Sequence, residues 1–369
     1  MKILHFMASG ETGGIEVLNK DYVKYSKLEN IHVFFWHGGC ITEEMKAHGD
    51  HVIELNAPKK DFFGPLKNMM DLCKKEAPDV IIVHYIAPVL YLYAMILKKR
   101  YPHIRIIGYV HENVLRNDQK TGIGKKIRRG LKQSITRHFL KNADGILAIS
   151  DFVKQRIAEC YKISEEKIKR IYNGTDLRNF ELSANDSHKQ CVLIYVGRLV
   201  EEKGVQYTIR ALARIAENNS WHFSVVGEGS FRENLEQLVN ELGLEKKVEF
   251  LGNQRNIPEL LSKADIFLHV PYDVEYEEGF GIAMVEAMAA GLICVGSNSG
   301  ALPELIDDEQ SGYLIKDVRS QEFPKKLLEI MGNLDSEKMQ LVRQRAREKA
   351  ENFSIEIYAK NLDQYLSEK

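Results

Sequence analysis

One pattern runs the length of the chain: a short apolar run, a glycine-bearing turn, then a helical period. KILHFM (2–7), VFFW (33–36), HVIEL (51–55), DVIIVHY (79–85), RIIGYVH (105–111), GILAIS (145–150) and KIKRIY (167–172) read as strands. Most are near-continuous apolar runs, as parallel strands covered on both faces must be. Helical patterns such as Pro88–Lys99 and Lys125–Lys141 lie between them. This alternation dictates an α/β fold with parallel sheets and right-handed crossovers. It pauses at LRNFELSANDSHKQ (177–190), which is polar, turn-rich and has the character of a linker. It then resumes with CVLIYVG (191–197), HFSVVG (222–227), VEFLG (248–252), IFLHV (266–270), LICVG (292–296) and YLI (313–315). Two doubly wound domains are expected, over 1–178 and 188–353, with a cleft between them and a terminal helix (354–369) crossing back to the first. Ligands of such sheets bind beyond the carboxyl ends of the strands.

A chain of 369 residues accommodates two such domains. With 51 basic and 52 acidic residues its net charge is −1, which gives no support for nucleic-acid binding. The five cysteines (Cys40, Cys73, Cys160, Cys191 and Cys294) are scattered, without a CxxC pair. That distribution suits a reducing compartment and speaks against a disulfide framework or a zinc site. The sequence has neither a signal-peptide core nor an apolar run long enough to span a bilayer, so a cytoplasmic location is expected.

Three loops could hold a ligand. After KILHFM, the turn ASGETGG places Gly13 and Gly14 at a helix start, where backbone can approach an anion closely. It is neither GxGxxG nor a Walker loop, and a tight turn alone would also explain it. In CVLIYVGRLVEEKG, Gly197 ends a strand, and Arg198 and Lys203 flank the next turn. A fork and a point charge at that edge suit a diphosphate, although pairing with Glu201 and Glu202 is the plain alternative. The third stretch, EGFGIAMVEAMAAG (278–291), reads as a helix that is apolar all round, with Glu286 at its centre and Glu278 before it. The amides of Phe280, Gly281 and Ile282 open that helix toward the expected cleft. A carboxylate inside such a helix needs partners: hydroxyls of a ligand, or an Arg or Lys of the core.

In order along the chain, GETGG, His111 after RIIGYV, ADGILAIS, IYNGTD, VGRLVEEKG, VVGEGS, VEFLGN, EEGFGIAMVEAMAAG and SGALPELI resemble the retaining glycosyltransferases of the GT-B fold, in particular glycosyltransferase family 4. The E-x7-E spacing of Glu278 and Glu286 is its clearest mark. The resemblance spans nearly the whole chain. It implies two Rossmann-like domains around a central cleft and a UDP- or GDP-linked sugar as donor substrate, with no cofactor and no metal. Arg198 and Lys203 would grip the diphosphate, Glu286 would take the ribose hydroxyls and Glu278 a sugar hydroxyl. Backbone at Phe280 and Gly281 would hold the sugar, Ile257 would meet the base, and Gly197 and Gly227 would line the donor site. Gly14, with Gly13 beside it, would lie against the diphosphate from the other domain, and His111 would face the donor sugar. Glu112 and Asn113 put His111 in a polar loop, although a histidine ending an apolar strand is as often a packed core residue.

Paired carboxylates also suggest a glycosidase, but those enzymes set two carboxyls on either side of the scissile bond. Here a loop and the following helix would put both on one wall. The resemblance implies retention of configuration by a front-face route, with the departing diphosphate stabilised by cations and helix starts. An N-terminal domain facing a saccharide or lipid-linked acceptor, and a role in cell-surface polysaccharide or glycolipid synthesis, are further implications. The segment 119–143 has eight Lys or Arg and no acid, with Ile123, Ile127, Leu131, Ile135 and Phe139 at every fourth position. Such a basic amphipathic helix (Lys125–Lys141) suits an anionic membrane surface on the cytoplasmic side, or packs its stripe on the protein's own core. A GT-B epimerase and a non-catalytic partner subunit are the competing functions. The intact set Arg198, Lys203, Glu278 and Glu286 argues against the second. The residues do not specify an oligomeric state.

Overall fold

The computed structural model describes residues 1–11, 13–58, 60–84, 87–111, 123–180, 190–216, 220–272 and 277–368, with backbone alone at 123–126 and 129. Glu112 and Asn113, the run 119–122, most of the expected linker (181–189), and the side chains of Ile123, Lys125, Lys126 and Arg129 therefore lie outside the described residues. Met1–Gly174 together with Ile355–Lys369 form one compact unit, and Thr175–Ser354 form another.

The first unit carries a seven-stranded parallel sheet of β1 (Lys2–Ser9), β2 (Glu29–His37), β3 (His51–Glu54), β4 (Val80–Val83), β5 (Arg105–Val110), β6 (Gly145–Ala148) and β7 (Ile168–Arg170). Helices α1 (Gly14–Val23), α2 (Cys40–Ala47), α3 (Phe63–Glu76), α4 (Pro88–Arg100), α5 (Ile123–Asn142) and α6 (Asp151–Tyr161) connect them. The strand order is β3-β2-β1-β4-β5-β6-β7, so the winding reverses between β1 and β4. That switch point is where such sheets open a ligand crevice. Every residue of VIIV in β4 and GILA in β6 is buried, which is why these strands read as unbroken apolar runs.

The C-terminal helix, Ile355–Ser367, belongs to this unit. Its buried residues Ile355, Tyr358, Ala359, Leu362 and Leu366 recur at helical spacing and form one apolar face. Tyr358 meets Tyr22 of α1 edge-on at 5.8 Å, and Arg105 donates to the carbonyls of Leu366 and Glu368 at 2.6 and 2.8 Å. A side chain at Gly145 would displace the Tyr365 hydroxyl of this helix.

Helix α5 follows neither sequence reading along its whole length. Phe139 is buried and stacks on Tyr91 of α4 at 4.0 Å, whereas Ile127 and Leu131 are 69% and 61% exposed. Among the described side chains, the stripe is buried at Phe139 and stays at the surface at Ile127 and Leu131.

The second unit has a six-stranded parallel sheet of β8 (Cys191–Val196), β9 (Trp221–Val226), β10 (Val248–Gly252), β11 (Ile266–His269), β12 (Ile293–Ser297) and β13 (Tyr313–Ile315), in the order β10-β9-β8-β11-β12-β13. Its helices are α7 (Val205–Ala213), α8 (Arg232–Glu241), α9 (Ile257–Ser262), α10 (Ile282–Ala289), α11 (Leu302–Leu305), α12 (Glu322–Met331) and α13 (Glu337–Ala350). The winding reverses between β8 and β11. Thus the loops after β8 and β11 meet at this unit's crevice, as those after β1 and β4 do in the first.

The expectation that α10 is buried all round is corrected here. Met284, Val285, Ala287, Met288 and Ala289 are buried, but Ile282, Ala283 and Glu286 are half-exposed. These three share one face at helical spacing, so Glu286 stands on the single wet stripe of an apolar helix. Its carboxylate keeps access to water and escapes the full cost of a buried charge.

Candidate functional site

In the second unit the loop leaving β8 is laced to its neighbours by backbone. Gly197 N–H donates to Val226 at 3.0 Å, Leu199 N–H to Glu228 at 2.9 Å, and Gly227 N–H to Gly252 at 2.8 Å. Gly227 adopts φ 129°, and a side chain there would strike the Gly197 carbonyl. The Tyr195 hydroxyl donates to the Arg198 carbonyl at 3.0 Å and holds the turn from below. The Arg198 side chain is exposed and makes no ion pair among the described residues.

Lys203 ends a short 3-10 turn, and Gly204 follows in the left-handed region at φ 76°. Gly204 sits so close to the Val270 carbonyl that any side chain would collide with it. This contact brings the loop after β8 against the end of β11. Lys203 pairs with Glu278. Its Nζ lies 2.5 Å from Oε2 of Glu278, and Nε2 of His269 lies 2.8 Å from the same oxygen. The Lys203 and Glu278 side chains are only 12% and 11% exposed. Both donors converge on Oε2, so Oε1 accepts no bond among the described residues. Backbone fixes the carboxylate's position, because Ala301 N–H donates to the Glu278 carbonyl at 2.8 Å.

The electrostatics follow from this packing. Burial alone pushes the Glu278 carboxyl up, but the Lys203 charge and hydrogen bonds from His269 and Lys203 overcome it. The group is held well below the usual carboxylate range and stays ionised. His269 shifts down because burial outweighs its bond to Glu278. A carboxylate only accepts, so His269 donates through Nε2, and its buried Nδ1 has no partner among the described residues.

The remaining donor-site candidates of this unit surround those loops in sequence. Phe280 is buried edge-on against Phe353 at 5.7 Å. Gly281, at φ 97°, caps α10, and Met284 and Val285 N–H bond back to its carbonyl. The Ile282 amide has no backbone acceptor among the described residues and stands at the positive end of the helix. Glu286 Oε1 lies 3.3 Å from Thr175 Oγ1. Ile257 opens α9 and is half-buried.

Gly13, Gly14 and His111 belong to the first unit. Gly13 is the extended cap of α1, and Gly14 is its exposed first residue. His111 follows β5 directly. Its Nε2 lies 3.1 Å from Nδ1 of His84, whose Nε2 lies 2.9 Å from Nδ1 of His5. His5 stacks on His32 at 4.4 Å with an interplanar angle of 9°. Burial lowers all four rings, His111 to about 3 and His5 to about 4, so they are neutral at physiological pH.

Sequence reasoning missed His5, His84 and His269. The signal was present as a polar residue inside an apolar, buried strand, in KILHFM, DVIIVHY and IFLHV. A packed core histidine leaves the same trace.

Two family models match in tandem: Glycosyltransferase Family 4 over residues 12–179 and Glycosyl transferases group 1 over residues 179–350. An uncharacterized glycosyltransferase of Methanocaldococcus jannaschii is 33% identical over 184 residues, covering 46% of this chain and 46% of that protein. The N-acetyl-alpha-D-glucosaminyl L-malate synthase of Bacillus anthracis is 30% identical over 262 residues, covering 67% of this chain and 63% of its own. The chain therefore spans from about half to just under two thirds of the length of these two relatives. In fold it is similar to the crystal structure of Anabaena Alr3699/HepE in complex with UDP-glucose, with a TM-score of 0.83 and 22% identity over 100% of this chain and 99% of that one. The two matched models, which together run from residue 12 to residue 350, and the likeness of fold over the whole chain show that this protein belongs to glycosyltransferase family 4, with the GT-B fold.

Proposed function

We propose that the protein is a retaining, metal-independent transferase. It moves a hexosyl or N-acetylhexosaminyl group from a UDP- or GDP-linked donor to a saccharide or lipid-linked acceptor, in cell-surface polysaccharide or glycolipid synthesis. The observation that carries this reading is the buried Lys203–Glu278–His269 cluster, set at the switch point of the second sheet beside the exposed Arg198. A nearly buried ammonium and an exposed guanidinium at the end of one strand suit a diphosphate, and a carboxylate beside them suits a sugar hydroxyl. Crystal structures of the Anabaena protein with UDP, with UDP and glucose, and with UDP-glucose support a donor of this class.

In the step we envisage, the bond from C1 to the diphosphate oxygen breaks and its electron pair leaves with the diphosphate. Lys203, Arg198 and the start of α10 stabilise that charge. The acceptor hydroxyl oxygen bonds to C1 from the same face, and its proton passes to the departing phosphate. Glu286, on the wet stripe of α10, receives the ribose hydroxyls. In the first unit, Gly13, Gly14 and His111 are the residues we assign to the donor.

That unit also has a cavity of about 260 Å³ lined by Phe35, Trp36, Pro58, Asp61, Pro65 and Tyr93. Aromatic walls with one carboxylate suit a saccharide, and we assign the acceptor to it. Exposed Ile127 and Leu131, on a helix with Arg128, Lys132, Arg137 and Lys141, support a peripheral site on the inner face of the membrane. Failure of the intact protein to sediment with anionic vesicles at low salt would remove that part of the proposal.

A thermal-shift panel of nucleotide sugars tests the donor, because a ligand of the native state raises the melting temperature by mass action. No shift with any UDP- or GDP-sugar would sink the reading, and donor turnover without an acceptor would mark an epimerase. Chelator should leave transfer unchanged. Loss of activity with rescue by magnesium or manganese would refute metal independence.

A further inference from the structure

Four histidines of the first unit, buried His5, His32 and His84 and half-buried His111, are ordered by the sheet. His5 pairs in register with His32 on one side and with Ile82 on the other, and Ile82 pairs with Ile107. His84 lies two residues after Ile82, and His111 lies four after Ile107. The two-residue period of a strand therefore puts all four rings on one face, stepping toward its carboxyl edge.

The hydrogen bonds between them have one direction. Asn30 Nδ2 donates to the Leu28 carbonyl at 2.9 Å and to Ser26 Oγ at 3.0 Å. A carbonyl only accepts, so that end of the amide is the NH2 group and Oδ1 faces His5 Nε2 at 2.9 Å. His5 Nε2 must therefore carry the hydrogen. The ring is neutral, so its Nδ1 keeps a lone pair and must accept from His84 Nε2. The same logic makes His84 Nδ1 accept from His111 Nε2. His111 is left with a bare Nδ1, which is buried and has no partner among the described residues. At the far end Ser26 Oγ donates to Asp363 Oδ1 at 2.9 Å, and Asp363 lies on the C-terminal helix. His32 stands outside the relay, stacked on His5 with both nitrogens unbonded among the described residues.

We propose that Asn30, His5 and His84 are positioning residues that lock His111 in its Nε2–H form, so that Nδ1 offers a lone pair to a hydroxyl of the bound ligand. A hydroxyl can donate to that nitrogen, whereas a phosphate oxygen would meet it lone pair to lone pair. The assignment of a sugar hydroxyl rests on the reading of His111 as facing the donor sugar. The tautomer does not.

Long-range nitrogen–proton spectra of the intact protein, labelled with 15N-histidine, test this. His111 is assigned by the signals lost in His111→Asn. The free wild-type protein should show one His111 form, protonated at Nε2 and bare at Nδ1. An Nδ1–H form, or an averaged ring, overturns the proposal. Asn30→Leu should convert His111 to a mixture of tautomers although two rings separate them, and an unchanged His111 overturns the relay. His84→Phe should do the same, and His84→Gln should restore a single form, because its amide oxygen can accept from Nε2. Should these variants fail to fold, the wild-type spectrum still decides.

For the ligand, the probe is whichever nucleotide sugar raises the melting temperature most, set against its nucleoside diphosphate alone. The His111 Nδ1 signal should move with the first and not with the second. A bound nucleotide sugar that leaves it unmoved overturns the hydroxyl contact while the tautomer result stands. If no nucleotide sugar binds, the proposed function fails instead.

Discussion

The two switch points of this molecule have the same topology and opposite chemistry. At the first, β1 and β4 carry neutral histidines that bond to one another and to an amide. At the second, the loops after β8 and β11 bury a lysine–carboxylate ion pair with a neutral histidine bonded to it. Strand order thus provides a crevice, and side chains decide which charge it accepts. A crevice with a fixed ammonium beside an exposed guanidinium suits a diphosphate. One that offers a bare ring nitrogen of His111 suits an uncharged hydroxyl there.

The largest expected effect of this contrast is on acid stability. An ordinary histidine titrates near 6.5, while the folded rings of His5 and His111 resist protonation until about 4 and about 3. His32 and His84 are depressed as well. Below pH 6.5 the unfolded first unit binds protons that the folded one refuses, so stability falls as pH drops. Each such histidine withdraws about 1.4 kcal/mol per pH unit across its window. The second unit has one depressed histidine in its cluster, His269, and Glu278 shifts the other way. The carboxylate's contribution is intact above its ordinary value of 4.5 and is lost only as pH falls below it. Hydrogen exchange between pH 7 and pH 5 should therefore show the first unit opening before the second. Simultaneous opening, or the reverse order, would break the comparison.

Removing the cation of the second unit should have the next effect. Lys203→Met leaves the Glu278 carboxylate buried beside a neutral histidine. Breaking a buried pair from one side costs about 3 kcal/mol or more. Transfer should fall by about tenfold or more as the departing diphosphate loses a stabilising charge. Adding Glu278→Gln should recover much of the stability and none of the activity, which separates the structural share of the pair from its chemistry. A single variant with wild-type melting temperature would show that the pair is not closed in solution.

How much of this was legible in the sequence depends on the range over which each feature is encoded. Each apolar run named from the sequence lies on a strand, because a strand covered on both faces must be apolar at consecutive positions. Lys203 and Glu278 stood out as charges in glycine-rich loops at strand ends. Their pairing did not, because it depends on β8 and β11 being neighbours. His5 and His84 are 79 residues apart and His84 and His111 are 27 apart, so no local window joins them. Only the order β1-β4-β5 does. The wet stripe of α10 was hidden for the opposite reason. Ile282 and Ala283 are apolar wherever they point, so composition cannot tell a water-facing side from a core-facing one.

The smallest expected effect belongs to Glu286, and it sharpens the contrast because this carboxylate stands on the wet stripe of α10. It is half-exposed, with a long contact of 3.3 Å to Thr175. Glu286→Ala should lower the melting temperature less than Lys203→Met does, because the residue is half-exposed. Its proposed work is done only when ribose hydroxyls arrive, and a hydrogen bond to a charged group contributes about 1.5 kcal/mol or more. Affinity for the nucleotide sugar, measured by calorimetry, should fall by about tenfold, and affinity for the free nucleoside diphosphate should fall in parallel, since the ribose is common to both. Loss for the sugar nucleotide alone would move Glu286 to the sugar end of the site. Unchanged affinity for both would remove it from the site and leave its half-exposed position on α10 without a function.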